Sequence, residues 1–333
     1  MLKLATIGTS PICDSFLGGA RLSGKFEHTA VYSRNYETGK AFAQKHGCKN
    51  VFTSLGQMAS WDGIDCVYIA SPNVFHAQQS KLFLENGKHV LCEKPIATSA
   101  KEYEELKLLA DEKSLIYMEA IIPPHTSFHK PIKDALGKIG KISMVKIDFC
   151  QRSSKLDAYL AGENPNIFNM SLHAGALMDL GVYCVYAAID LLGVPKSVSA
   201  NASYLSNGAD SGGVAVFEYD DFNAVLTYAK NGQSRIGSEI VGEECTLKIK
   251  SIGQYSGATI IDRSGNEIQI SGSCSKEELM SGEAKTFANF ILNPEQTCEE
   301  YASASKMCLD VHRCMDKIKH SANIVYPALN LWN

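Results

Sequence analysis

Apolar positions in the first third of the chain alternate between two periods. Lys3 to Ile7 reads as a strand, and Ile12 to Leu22 carries Phe16, Leu17 and Ala20 as a helical stripe. His28 to Ser33 reads as strand and Glu37 to His46 as helix. Asp65 to Ala70 is near-continuously apolar, as a strand covered on both faces should be. Val74 to Glu85 reads as a helix closed by Asn86-Gly87, His89 to Cys92 as strand, Ala100 to Glu112 as helix and Leu115 to Glu119 as strand. Repeated βα units of this length predict a parallel sheet with right-handed crossovers.

The pattern changes after Pro123-Pro124. Lys130 to Leu136 reads as a helix, Ile142 to Phe149 alternates as a half-buried strand, and Gly175 to Leu192 is a second helix. Strand-like runs follow at Ser197 to Tyr204, Val214 to Tyr219, Ala224 to Ala229, Arg235 to Val241, Thr246 to Ile249 and Thr259 to Ile261. Asp220-Asp221 and Gly242-Glu243-Glu244 read as hairpin connections. Such strands predict an antiparallel sheet with one face open to another subunit. Helices over Lys276 to Leu292 and Cys298 to Lys319 close the chain. A length of 333 residues fits two domains, placed at 1–121 and 122–333.

Composition narrows the class of partner. Apolar residues make up 45% and charged residues 20%, as in ordinary globular proteins, and a formal charge of −4 gives nucleic acid or an anionic membrane no attraction. No run approaches eighteen uninterrupted apolar residues, so no membrane span is expected. The N-terminus reads as a strand entering a glycine turn rather than a secretory signal. The 11 cysteines show no Cys-x-x-Cys pair, which fits a reducing, cytoplasmic setting. Cys308 and His312 stand four apart on the last helix, but no further ligand is spaced to join them. They read as helix packing with a surface histidine, and no metal site is expected.

Gly8-Thr9-Ser10-Pro11-Ile12-Cys13 occupies the place of a dinucleotide fingerprint, in altered form. Gly8 supplies the tight turn, Ser10 stands for the second glycine and Cys13 for the third. Pro11 suits a first helical turn, whose amides and dipole favour an anion. The second strand ends Val31-Tyr32-Ser33-Arg34-Asn35 with no acid to bind ribose hydroxyls. Ser33 and Arg34 instead suit a 2′-phosphate, so NADP is expected, with NAD the alternative. Ser71-Pro72-Asn73, with His76 just beyond, makes a rigid turn after a later strand. Asn73 reads equally as the cap of its helix. Glu93-Lys94-Pro95 ends another strand, which sets the Lys94 ammonium over the crevice where open α/β sheets bind ligands. Pro95 biases Lys94 away from helical ψ.

Taken with Gly175-Ala176-Leu177-Met178-Asp179-Leu180-Gly181-Val182-Tyr183, these motifs resemble the glucose–fructose oxidoreductase/inositol dehydrogenase/MocA family over nearly the whole chain. Tyr183 resembles the branch that contains dimeric dihydrodiol dehydrogenase. The resemblance implies an α/β protein: a Rossmann domain with a doubly wound parallel sheet, then an α+β domain on a large open, mostly antiparallel sheet. It implies a nicotinamide cofactor, a small-molecule substrate with a secondary alcohol or carbonyl, and a homodimer or homotetramer formed through the open sheet. By motif matching, Lys94 is the catalytic or orienting lysine, Asp179 a substrate contact and Tyr183 the proton donor and acceptor, while Glu93 and Pro95 shape the cofactor site. Two departures stand out. The second fingerprint glycine is missing, and Ile121-Ile122-Pro123-Pro124-His125 replaces an aromatic–arginine segment.

Residues 179 and 183 are four apart and share a helix face. With Lys94 they are expected to gather a carboxylate, a phenol and an ammonium around one substrate oxygen. Tyrosine's ordinary pKa of about 10 falls beside an ammonium, which makes Tyr183 a better proton partner. His173, read as facing solvent, is a weaker candidate, and no spacing argues for Tyr159 or Asn169. The other reading is a non-catalytic cofactor-binding regulator, which the altered fingerprint mildly favours and the Lys94, Asp179 and Tyr183 set argues against.

Overall fold

The computed structural model describes residues 1–327. Two compact units emerge: Met1–His125 with Ser275–Lys306, and Thr126–Cys274 with the chain from Met307.

The first unit begins β1 (Leu2–Ile7), α1 (Pro11–Ser23), β2 (Phe26–Tyr32), α2 (Tyr36–His46), β3 (Asn50–Phe52), α3 (Leu55–Ala59) and β4 (Cys66–Ile69). It continues α4 (His76–Glu85), β5 (His89–Glu93), α5 (Ala100–Glu112) and β6 (Tyr117–Ala120). The strands order as β3-β2-β1-β4-β5-β6, all neighbours parallel. This is the Rossmann order, with its reversal between β1 and β4. Local chemistry sets the helix ends. The Asn35 side chain accepts from Thr38 N at 3.0 Å, and α1 stops at Gly24 with φ 66°. The sequence reading missed β3 and α3. Asn50-Val51-Phe52 is too short to show a period, and only sheet pairing to β2 defines it.

The second unit holds α6 (His129–Leu136), β7 (Ile142–Cys150), α7 (Leu156–Leu160) and a π-turn, Leu177–Gly181, that runs into α8 (Val182–Leu192). Then come β8 (Ser197–Tyr204), β9 (Asp210–Glu218), β10 (Asn223–Ala229), β11 (Ser238–Gly242), β12 (Cys245–Ser251), β13 (Ser256–Asp262) and β14 (Glu267–Gln269). They form one sheet, β14-β13-β12-β11-β7-β10-β9-β8, antiparallel except where β7 meets β10. Val145, Ile147, Phe217, Leu226, Ile240 and Leu247 are buried on one face, while Met144, Val214 and Val216 on the other are 36–41% exposed. Met170–Leu192 is apolar and long enough to cross a membrane by length and composition, but it is mostly buried inside the fold as a core helix.

The chain returns to the first unit with α9 (Lys276–Leu292), whose N-terminus is a capping box between Ser275 and Glu278. The helix α10 (Pro294–Ala322) follows. Small residues let α9 approach α1: a Cβ on Gly19 would lie 2.8 Å from the Met280 carbonyl carbon and the Ser281 nitrogen. Two histidines depart from expectation. His312 is 2% exposed rather than on the surface, and His173 is 8% exposed, stacked 4.9 Å from the Tyr326 ring instead of facing solvent.

Replacing Gly19 by alanine is expected to cost about 1–3 kcal/mol, because Met280 backbone cannot retreat as a side-chain tip would. Gly56→Ala is the control. It sits exposed in α3 with only Ser54 Oγ at 4.0 Å, and should be neutral or stabilising by about 0.5–1 kcal/mol. Urea denaturation of both variants decides it; equal midpoints would discard the close-packing argument.

Candidate active site

Every strand end that the sequence reading singled out lies at the carboxyl edge of the six-stranded sheet: Gly8 to Ile12 after β1, Ser33-Arg34 after β2, Ser71-Pro72-Asn73 after β4, and Lys94-Pro95 after β5. Gly8 has φ 112°, a conformation side chains resist, and a Cβ there would meet the Ala70 carbonyl oxygen at 3.1 Å. Ser10 takes the N-cap position of α1 without a side-chain cap bond, and Pro11 opens the helix. Thr9 and Ile12 are half-buried at the same turn. Ser10 Oγ has only a weak contact, 3.8 Å, with Cys13 Sγ. Burial pushes the Cys13 thiol up to about 12, so no thiolate opposes an anion at this turn. An uncapped helix N-terminus with a glycine turn fits the pyrophosphate of a dinucleotide.

At the end of β2, Ser33 is buried and its Oγ accepts from Asn35 N at 3.3 Å, while Arg34 is exposed. After β4, Ser71 Oγ donates to Gln79 Oε1 at 2.7 Å. Asn73 starts a tight turn, and Phe75 rather than Asn73 holds the N-cap position of α4. His76 is buried between two carbonyls, with Nδ1 2.8 Å from Pro95 O and Nε2 2.7 Å from Ser71 O. It therefore ties the β4 turn to the cis Lys94-Pro95 turn, and its ring nitrogens face the frame. Burial lowers the pKa of His76 against the pull of both carbonyls, so the neutral ring donates to one of them.

Beneath Lys94 lies a pair of acids. Tyr68 donates a short hydrogen bond to Glu93 Oε1, and the Tyr68 ring stacks on Phe16. Glu283 from α9 is fully buried, and neither carboxyl oxygen has a hydrogen-bond partner. Burial raises both carboxyls, and the charge of Glu93 pushes Glu283 well above the ordinary range despite Lys276. Glu283 is thus a neutral acid in the fold.

In the second unit, residues 174–191 are buried with two exceptions, Asp179 and Tyr183. The π-turn widens the helix at Asp179, and π-turns of this kind recur at functional sites. Gly181 allows it: a Cβ there would come 2.9 Å from Leu177 Cδ1 and 3.1 Å from the Tyr228 ring. The Tyr183 ring meets Phe149 edge-on at 5.5 Å. Asp179 Oδ2 accepts from Lys230 Nζ at 2.8 Å. Lys230, just past β10, is 1% exposed and also reaches Ile167 O at 3.4 Å, with its ammonium 5.2 Å from the Phe168 ring centroid. The sequence reading missed Lys230, since a lysine after Tyr228-Ala229 looks like any strand end. Tyr159 is tied to Ser206 Oγ at 2.8 Å, and the Asn169 side chain accepts from Ser171 N at 3.0 Å, so both serve loop structure.

Comparison with known proteins places this arrangement. Residues 2–121 match the family model described as oxidoreductase family, NAD-binding Rossmann fold, and residues 135–248 match the GFO/IDH/MocA C-terminal domain. The chain is 39% identical to the scyllo-inositol 2-dehydrogenase (NADP(+)) IolU of Bacillus subtilis (strain 168), over 98% of this chain and 99% of that one. The chain belongs to the GFO/IDH/MocA oxidoreductase family. The uncharacterized oxidoreductase YgjR of Escherichia coli (strain K12) is also 39% identical, over 98% of each chain. Among solved structures, KijD10, a 3-ketoreductase from Actinomadura kijaniata in complex with NADP and TDP-benzene, superposes with TM-score 0.85 at 24% identity, covering 96% of this chain and 98% of that one. That likeness concerns the fold. The membership makes the chain an oxidoreductase whose first unit carries the family's NAD-binding fold.

The neutral Glu283 gives a pH signature. In the unfolded chain it ionises above about 4.3, so folding takes up a proton at higher pH and stability falls as pH rises toward the raised folded value. Glu283→Gln removes that slope. The variant should gain about 1–3 kcal/mol on the wild type at pH 8, and the gain should close toward pH 4. Denaturation midpoints measured across that range check it, and a constant difference would contradict a neutral Glu283.

Proposed function

We propose that this chain is an NADP(H)-dependent oxidoreductase that transfers hydride between nicotinamide and a secondary alcohol or carbonyl of a sugar, polyol or cyclic diol. The observation that carries the reading is the pair of openings at Asp179 and Tyr183 in an otherwise buried helix. A buried helix that keeps only a carboxylate and a phenol half-buried, one turn apart, is suited to present both to a ligand. The family's chemistry gives them work. The nicotinamide supplies or accepts the hydride, and the protein must orient the substrate and move one proton. In this reading Tyr183 gives that proton to the substrate oxygen during reduction and takes it back during oxidation. Asp179, paired with Lys230, accepts a hydrogen bond from a neighbouring substrate hydroxyl and so favours a diol or polyol. Lys94 is assigned to the substrate oxygen and to easing ionisation of the phenol.

The cofactor assignment follows the β2 end, where an exposed guanidinium and a serine replace an acid, and it agrees with the NADP(+) in the name of the Bacillus relative. The roles proposed for Gly8, Thr9, Ser10, Pro11 and Ile12 follow from the uncapped α1 terminus. Ser71, Pro72, Asn73, Glu93 and Pro95 are assigned to walls of the same cofactor site, and His76 to bracing it. We further propose a cytoplasmic homodimer or homotetramer joined through the partly apolar open face of the eight-stranded sheet. The cytoplasmic assignment rests on the lack of any Cys-x-x-Cys spacing among the 11 cysteines.

The reading is tested by following NADPH absorbance with a panel of inositols, cyclic diols and their ketones. Binding of NADPH without turnover of any of them would favour the regulator reading, which the Ser10 replacement supports. Once a substrate is found, Lys94→Met should cut turnover at least about a hundredfold, the scale of a lost general acid–base partner, with NADPH binding still measurable. Turnover equal to wild type would remove Lys94 from the mechanism. Arg34→Ala should weaken NADPH about tenfold and leave NADH within twofold, as loss of one charge-assisted contact predicts. Equal losses for the two cofactors in fluorescence titration would rule out a 2′-phosphate contact.

A further inference from the structure

The helix that carries Asp179 and Tyr183 has no local cap. Its N-terminal residue Ala176 makes no side-chain cap bond, so its first amides need a partner from elsewhere. Asp210, at the start of β9, provides one. Its Oδ2 accepts from Leu177 N at 2.6 Å, and the residue is 0% exposed. The second oxygen, Oδ1, has no hydrogen-bond partner and lies over Gly175, where a Cβ would come within 1.8 Å of it. Gly175, the first residue of the family-like segment, is therefore small because a carboxylate leans on it. No pattern near Asp210 in the sequence announces this role, since Ala209-Asp210-Ser211 reads as a loop entering a strand.

We infer that Asp210 is a positioning residue, which from β9 fixes the first turn of the helix and with it the direction of Asp179 and Tyr183. The inference rests on the function proposed above for those two residues. A negative charge at a helix N-terminus is favourable, and a carboxylate bound to a backbone amide is a strong, directional contact. Lys230 faces the same carboxylate and lowers its pKa, while the phenols of Tyr228, Tyr204 and Tyr326 lie within its field. Burial is the largest influence and pushes Asp210 up to about 6.

The sign of that shift separates positioning from mere stability. A carboxyl raised in the fold contributes stability that is present below its unfolded value of about 3.9 and is lost as pH rises through about 6. Ionised Asp210 thus does not stabilise the fold at neutral pH, so removing its charge should not lower the melting temperature there. If the carboxylate only held the fold together, the reverse would be seen.

The test uses Asp210→Asn in the full chain, which keeps size and one acceptor. Expected are an unchanged or higher melting temperature at pH 8, a kcat reduced about tenfold, NADPH affinity within twofold of wild type, and loss of an acid limb near pH 6 from the kcat profile. Amide hydrogen exchange in the peptide spanning 176–183 should quicken about tenfold. That arm needs no substrate, so it judges the helix contact even if the proposed activity fails. Unchanged exchange, or faster exchange with kcat and its pH profile unmoved, overturns the inference. A second comparison covers Gly175. Gly175→Ala should slow turnover in the wild-type background and cost little more in an Asp210→Ala background, where the clash is gone. Additive losses would also overturn it.

Discussion

A fully buried ammonium cannot stand alone, and Lys230 is the constraint around which the second unit's site is arranged. Desolvating its charge costs several kcal/mol, and only a close partner offsets that. Asp179 lies at 2.8 Å, and the Ile167 carbonyl and the Phe168 ring also face the ammonium. Because Lys230 follows β10 and cannot move without moving the sheet, it fixes where Asp179 must be. The helix meets that demand by widening into a π-turn at Leu177–Gly181, and Gly181 lets the widened turn sit on Tyr228. The ion pair is poor evidence for stability and better evidence for orientation, since an apolar pair of similar volume would pack there at less cost.

The first unit obtains its site by a different route. Its groups are placed by topology: in a parallel sheet, each turn after a strand arrives at the same edge. The order β3-β2-β1-β4-β5-β6 reverses between β1 and β4, opening a crevice between their departing chains. Little side-chain specificity is needed beyond Gly8 and the uncapped start of α1. That explains how the fingerprint tolerates Ser10 and Cys13. Both are small, and the Cys13 thiol stays neutral. His76 adds stiffness by seating its ring between carbonyls of two of the turns and donating to one of them.

This difference also explains what the sequence revealed. The βα alternation, the strand-end turns and the glycine-rich helix were legible because each is a local pattern: a period, a turn dipeptide, a spacing of four. Lys230, Asp210 and Glu283 were not. Each is a charged or acidic residue in or beside an element whose own pattern is ordinary, and its meaning comes from a partner far along the chain. Asp210 is tied to Leu177, and Lys230 to Asp179. The return of α9 to the first unit was equally hidden, because the Gly18-Gly19 pair that receives it reads locally as a weak spot in α1. His312 and His173 were misplaced for a related reason. A histidine on a helix or at its entrance has no pattern that distinguishes a packed ring from a solvated one.

Three costly buried groups lie next to residues to which chemistry is assigned. Glu283 is buried with neither oxygen paired, Asp210 has one oxygen unpaired against Gly175, and Lys230 is wholly removed from water. Each lies one layer behind a residue assigned a role: Glu283 behind Glu93 and Lys94, Asp210 and Lys230 behind Asp179 and Tyr183. Burying a polar group without full compensation costs about 1–3 kcal/mol, and a sequence selected for stability alone would replace it with hydrocarbon. Hydrocarbon would pack as well, but it has no charge or dipole with which to set the ionisation or direction of its neighbour. The presence of these groups beside residues assigned a role in each unit is therefore better explained by electrostatic preorganisation than by packing.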